Sequence, residues 1–145
     1  MALSPDGDLT RPLYRYADRI HVMSYDHGPK HSTYDQAVQD LKTFVDSGFA
    51  KEKLILGVPF YGREIVNLKN EFTYAELIRQ YHPAPDQDEV HGIYFNGMDT
   101  IGRKTCYALA NGFGGIMIWE LGQDSAGNAS LLRTIYRSAS NGCPS

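Results

Sequence analysis

With 145 residues, 42% of them apolar and 21% charged, the chain has the composition of one ordinary globular domain able to bury a core, neither disordered nor fibrous. A net charge of −3 without any basic block offers nothing to a nucleic-acid polyanion or an anionic bilayer, so a neutral partner is expected. No apolar run approaches the roughly 20 residues of a membrane span. The residues after Met1 lead into Ser4-Pro5-Asp6-Gly7-Asp8 rather than a basic and then apolar stretch, so the sequence as given is expected to carry no secretion signal.

The first apolar run is Ile20-His21-Val22-Met23-Ser24-Tyr25-Asp26. Runs of this kind read as strands buried on both faces, as in a parallel sheet covered by helices, and such sheets place their chemistry at the carboxyl ends of the strands. Beyond it, Tyr34, Ala37, Val38, Leu41, Phe44 and Val45 recur at helical spacing. Thr33 and Gln36 are placed as a capping box and Gly48 as a stop. The second run, Leu54-Ile55-Leu56-Gly57-Val58-Pro59-Phe60-Tyr61-Gly62-Arg63, completes a right-handed βαβ unit, so the first two strands should be parallel and adjacent.

Residues 64–98 are expected to form a small α+β insertion. Within it Thr73 to Tyr81 reads as a short helix with a Thr73/Glu76 capping box, residues 82–88 as a turn-rich loop, and Gly92 to Gly97 as a strand or hairpin arm. Asp99 to Ala110 supplies a crossover helix into the third run, Gly114-Gly115-Ile116-Met117-Ile118-Trp119-Glu120. Asn128 to Ser138 packs a last helix, ahead of a polar tail over 139–145. Asn128-Ala129-Ser130 fits both a glycosylation acceptor and a helix cap, and the cap is preferred. Cys106, in the crossover helix, and Cys143, in the tail, make no disulfide framework and no CxxC, so they read as structural or incidental cysteines with the pairing of Cys143 left open. Three parallel strands leave two unpaired edges, so the chain is expected to belong to a larger sheet.

Strand alternation puts Met23 and Tyr25 on one face with His21, and Met117 and Trp119 on one face with Gly115. These side chains are either core filler or the floor of a site. Their neighbours favour a site, because Tyr25 with Asp26, Tyr61 with Arg63, and Trp119 with Glu120 each set a hydrogen-bonding group beside an aromatic. A polyhydroxyl ring, apolar on its faces and polar at its rim, matches that mixture. His27 and His31 flank Gly28-Pro29 without a rigid ligand spacing, and neither a metal nor a cofactor is expected.

The three runs resemble the sixth, seventh and eighth strands of glycoside hydrolase family 18, the chitinase family, in residues, order and spacing from about Tyr16 to Tyr136. The resemblance implies a partial (β/α)8 barrel, with three parallel strands, helices and the short insertion between the last two strands. It also implies a glycosidase that hydrolyses β-1,4 links between N-acetylglucosamine units by a substrate-assisted retaining route. By the same resemblance Tyr25 and Asp26 would be catalytic, holding the substrate's N-acetyl group. Trp119 would be the floor under the sugar, Met23 and Met117 the base of the pocket, and Tyr61 and Arg63 the lining of the cleft. Glu120, directly after an inward-facing Trp, is either a rim contact or a structural, helix-facing group.

The family's general acid closes an Asp-x-x-Asp-x-Asp-x-Glu motif that this sequence lacks, so the first five strands are expected to lie outside it and the chain alone to be inactive. The implied partners are chitin or N-acetylglucosamine oligosaccharides, together with the absent N-terminal part of the barrel. The full-length protein is expected to be secreted. Two other readings remain open: a non-catalytic chitooligosaccharide-binding module, and a self-contained small α/β domain.

Overall fold

A computed structural model describes residues 1–3 and 14–143. Four strands form a parallel sheet: β1 (Ala2–Leu3), β2 (Ile20–Val22), β3 (Leu54–Pro59) and β8 (Gly115–Trp119), in the order β1-β2-β3-β8. Leu3 pairs with Val22, Val22 with Leu56, and Gly57 with Met117, so the carboxyl ends of the strands share one rim. The expectation of three parallel strands is therefore corrected to four among the described residues. β1 is only two residues long and carries no run of its own; it is held by pairing, its neighbours His21 and Met23 donating backbone N–H groups to Met1 and Leu3 carbonyls.

Helix α1 (Tyr34–Asp46) starts where the Thr33 hydroxyl accepts the Gln36 backbone N–H, and the chain leaves it through Gly48 at φ +90°, a left-handed conformation that favours glycine. The capping box expected there is only half made: the Gln36 side chain donates forward to Asp40 and is not turned back to accept from the Thr33 backbone N–H. Ala37, Leu41 and Phe44 bury one helical face in the core beside Ile20, Val22, Leu54, Leu56 and Val58.

The second run does not continue straight to Arg63. It ends at Pro59, and β4 (Tyr61–Glu64) begins a separate antiparallel sheet of order β5-β4-β7-β6, with β5 (Glu71–Thr73), β6 (Glu89–Val90) and β7 (Ile93–Tyr94). Between them, fully buried Phe60 stitches the two sheets: its N–H donates to the Trp119 carbonyl and its own carbonyl accepts from Tyr74 N–H. α2 (Tyr74–Tyr81) carries the expected Thr73/Glu76 capping box, with both reciprocal bonds present.

α3 (Met98–Ala110) crosses back to β8, and α4 (Leu131–Ser140) packs against α3. The cap of α4 is Ser130, which accepts from Arg133 N–H, whereas Asn128 lies in the preceding turn, and the helix runs two residues beyond Ser138. The cysteines are structural, and the pairing left open for Cys143 is with Cys106: the two form a disulfide, Cα atoms 5.4 Å apart, that ties the tail to α3. No helix among the described residues is long and apolar enough to cross a membrane.

Candidate active site

Immediately after β2 the chain turns sharply: Asp26 has φ +68°, an uncommon conformation for a residue with a side chain. That turn aims its carboxylate at β4. Asp26 Oδ1 accepts a hydrogen bond from the Tyr61 hydroxyl at 2.6 Å and pairs with Arg63 Nε at 3.1 Å. Tyr61 and Arg63 are two residues apart on one strand and so project to the same face, and the Arg63 guanidinium lies 5.5 Å from the centre of the Tyr61 ring. The Arg63 fork also reaches the Leu68 carbonyl at 3.2 Å and Glu71 at 3.4 Å, holding the hairpin of β4 and β5 against the same cluster.

Tyr25 meets Tyr61 edge-to-face with centroids 6.3 Å apart. It stands over Gly57, the glycine at which β3 passes closest to its neighbours: a Cβ there would sit 2.6 Å from the Val22 carbonyl, 2.9 Å from Met117 Cε and 3.1 Å from Tyr25 Cε1. Tyr25 and Met117 are thus brought over one backbone position, Met117 by its place on β8 and Tyr25 from the segment that follows β2. Burial, then the Asp26 carboxylate, push the Tyr25 hydroxyl above its ordinary pKa. Burial, followed by the bond to Asp26, does the same to Tyr61. Both phenols remain proton donors at neutral pH.

Of the predicted residues, Tyr25, Asp26, Tyr61, Arg63 and Met117 gather in this way. Trp119 follows Met117 by two on β8 and leaves 55% of its surface open. Met23 is half-buried at the end of β2, and Glu120, joined to Trp119 by a cis peptide, is exposed beyond the sheet.

Sequence reading missed the support beneath the cluster. His31, wholly buried, stacks on Tyr61 at 5.0 Å, meets Tyr94 edge-on at 5.9 Å, and brings Nδ1 to 3.7 Å from Asp26. His27 turns away and binds Asp40 at 2.9 Å, so the two histidines serve different elements. Among the described residues no three His, Cys, Asp or Glu side chains converge as metal ligands.

Parallel strands ending on a common rim, with an aromatic and a carboxylate beyond the tip of one and an open indole at the tip of another, follow the plan of a (β/α)8 barrel. The described residues form a sector of such a barrel, without closure. The model of glycosyl hydrolases family 18 matches residues 5–124, and the chain belongs to that family. The fold superposes on a family 18 chitinase, ChiB, from Flavobacterium johnsoniae with a TM-score of 0.87 and 35% identity, covering 97% of this chain and 49% of that one. A chitinase from Bacteroides thetaiotaomicron matches at 0.86 and 28% identity, with 94% and 50% coverage. A 47-residue stretch is 45% identical to bacteria-responsive protein 1 of Aedes aegypti, 31% of this chain and 11% of that protein. The chain therefore spans about half the length of the chitinase structures it matches.

Proposed function

We propose that this chain supplies the sugar-orienting part of the cleft of a chitinase-type glycosidase acting on β-1,4-linked N-acetylglucosamine chains. The observation that carries the reading is the Asp26 carboxylate, fixed from one side by Tyr61 and Arg63 while Tyr25 stands beside it as a donor. In a substrate-assisted cleavage the carbonyl oxygen of the sugar's N-acetyl group attacks the anomeric carbon as the bond to the leaving oxygen breaks. The acetamido nitrogen gains positive character, which the Asp26 carboxylate stabilises. The Tyr25 hydroxyl donates to the acetamido oxygen and orients it for attack. Trp119 stacks under the ring, Met23 and Met117 shape the space beneath it, and Glu120 lines the rim. Hydrolysis further needs an acid to protonate the leaving oxygen, a step contributing about 10²–10⁴ in rate, and the 145 residues lack the family's acid motif. The chain alone therefore binds without turning over.

Binding without cleavage is also what a chitooligosaccharide-binding module does, and the exposure of Trp119 favours that second reading. Secretion is part of the proposal, because a disulfide such as Cys106–Cys143 persists in oxidising compartments.

The test is titration of N-acetylglucosamine oligomers against the fluorescence of the single tryptophan, with a fluorogenic chitobioside assayed in parallel. Weak, saturable quenching and no turnover are expected, with binding heat by calorimetry lost in Trp119→Ala. A flat titration to about 10 mM, some 3 kcal/mol of binding, would remove both readings. Turnover that persists in Tyr25→Phe would overturn the role given to Tyr25.

A further inference from the structure

Lys104 is wholly buried on α3, and no carboxylate is among its hydrogen-bond partners. Its Nζ donates to the Ser32 carbonyl at 2.8 Å, the Ser32 hydroxyl at 2.8 Å and the Asn96 side-chain oxygen at 2.7 Å. Those contacts match the three N–H groups of an ammonium. Burial pulls its pKa down to about 7, against the opposing pull of Asp88 and Asp40. Taking an amine out of water is costly, and a methionine of similar volume would fill the site without that cost. Its place therefore calls for a reason beyond packing.

The contacts supply one. The Ser32 hydroxyl donates on to the Ser24 carbonyl at 2.7 Å, closing the base of the loop 24–32, and the Asn96 amide donates to the Ser32 carbonyl at 2.7 Å. Ser24 in turn donates to Asp40 of α1 at 2.6 Å. Ser24, Ser32, Asn96 and Lys104 are all buried, so none of these bonds is replaced by water without opening the core. Tyr25 follows Ser24 directly. Asp26, in its left-handed conformation, lies within the closed loop, and Asn96 leaves the antiparallel sheet that presents Tyr61 and Arg63.

We propose that Lys104 is a positioning residue, the joint through which α3 fixes the loop bearing Tyr25 and Asp26 against the sheet bearing Tyr61 and Arg63. This rests on the reading of those four residues as the sugar-orienting site. Without the amino group, Ser32 and Asn96 lose their common donor, the loop and the sheet are no longer referred to one point, and the Tyr61–Asp26 bond loosens while the parallel sheet stays folded.

The experiment labels the tyrosines with ¹³C at Cζ in the full chain and assigns the Tyr61 signal by Tyr61→Phe. Asp26→Asn supplies the reference for a weakened Tyr61 bond. In Lys104→Met the Tyr61 signal is expected to move toward that reference, with oligosaccharide affinity read from Trp119 falling about tenfold, the effect of one misplaced hydrogen bond. Leu131→Ala, a core truncation on α4, is expected to lower stability while leaving the Tyr61 signal in place. If Lys104→Met fails to fold, Ser32→Ala, which removes the link to Ser24, decides in its stead. An unmoved Tyr61 signal in the folded variant, or an equal shift in Leu131→Ala, overturns the proposal. Absence of any sugar response in the wild-type chain overturns the functional reading instead and leaves the tyrosine comparison intact.

Discussion

His31 shows what a buried base does to the pH response of this molecule. Enclosed by Tyr61 and Tyr94, it has its pKa lowered by burial to about 4, the nearby Asp26 carboxylate opposing only in part. In the unfolded chain the ring takes its proton near pH 6.5. Between those values the unfolded state binds the extra proton, so stability falls as pH drops from about 6.5 to 4, and the residue is silent above about 7. Urea midpoints across that window should decline in the wild type and decline less in His31→Phe, which keeps a ring against Tyr61. An identical decline in both would place the acid sensitivity elsewhere. The same burial explains why His31 was illegible as a site residue: its sequence neighbours describe an exposed loop, and only the return of β4 and β7 covers it. That Tyr25, Asp26, Tyr61 and Arg63 come together was legible, because each stands at or just past the end of an apolar run and those runs end on one rim.

Among the elements, α3 and α4 carry a cross-link that periodicity cannot show. The Cys106–Cys143 bond closes a 37-residue separation that includes β8 and all of α4. On the chain-entropy account a loop of that size contributes roughly 3–4 kcal/mol. Cys143→Ser should therefore lower the unfolding free energy by about 3 kcal/mol, with amide exchange quickening first in α4 rather than in β3. An unchanged denaturation curve would mean that α4 is held by Leu131 and its neighbours alone. The helices themselves were readable, α2 to the residue through its capping box. Two other features were not. β1 exists only by pairing with β2, and the break at Phe60 lies inside what looks like one apolar strand, because leaving a sheet costs the chain a change of partner but no change of composition.

For the molecule as a whole, the open sector has consequences for its behaviour alone in solution. Among the described residues β1 and β8 are edge strands, β8 is only partly covered, and Trp119, Leu121, Leu132 and Tyr136 are exposed. Unpaired backbone beside apolar side chains recruits further chains, so light scattering after size exclusion should give a mass above 16.2 kDa, with binding of a hydrophobic dye. A sharp monomer that unfolds cooperatively and binds no dye would favour the self-contained domain. Within that sector, the stitch at Phe60 governs how a ligand is received. One residue is bonded both to the end of β8 and to the start of α2, so the antiparallel sheet is bolted to the rim where the chain passes from one sheet to the other. Tyr61 and Arg63 are thereby set against Asp26 by the backbone itself, in the manner of a bracket.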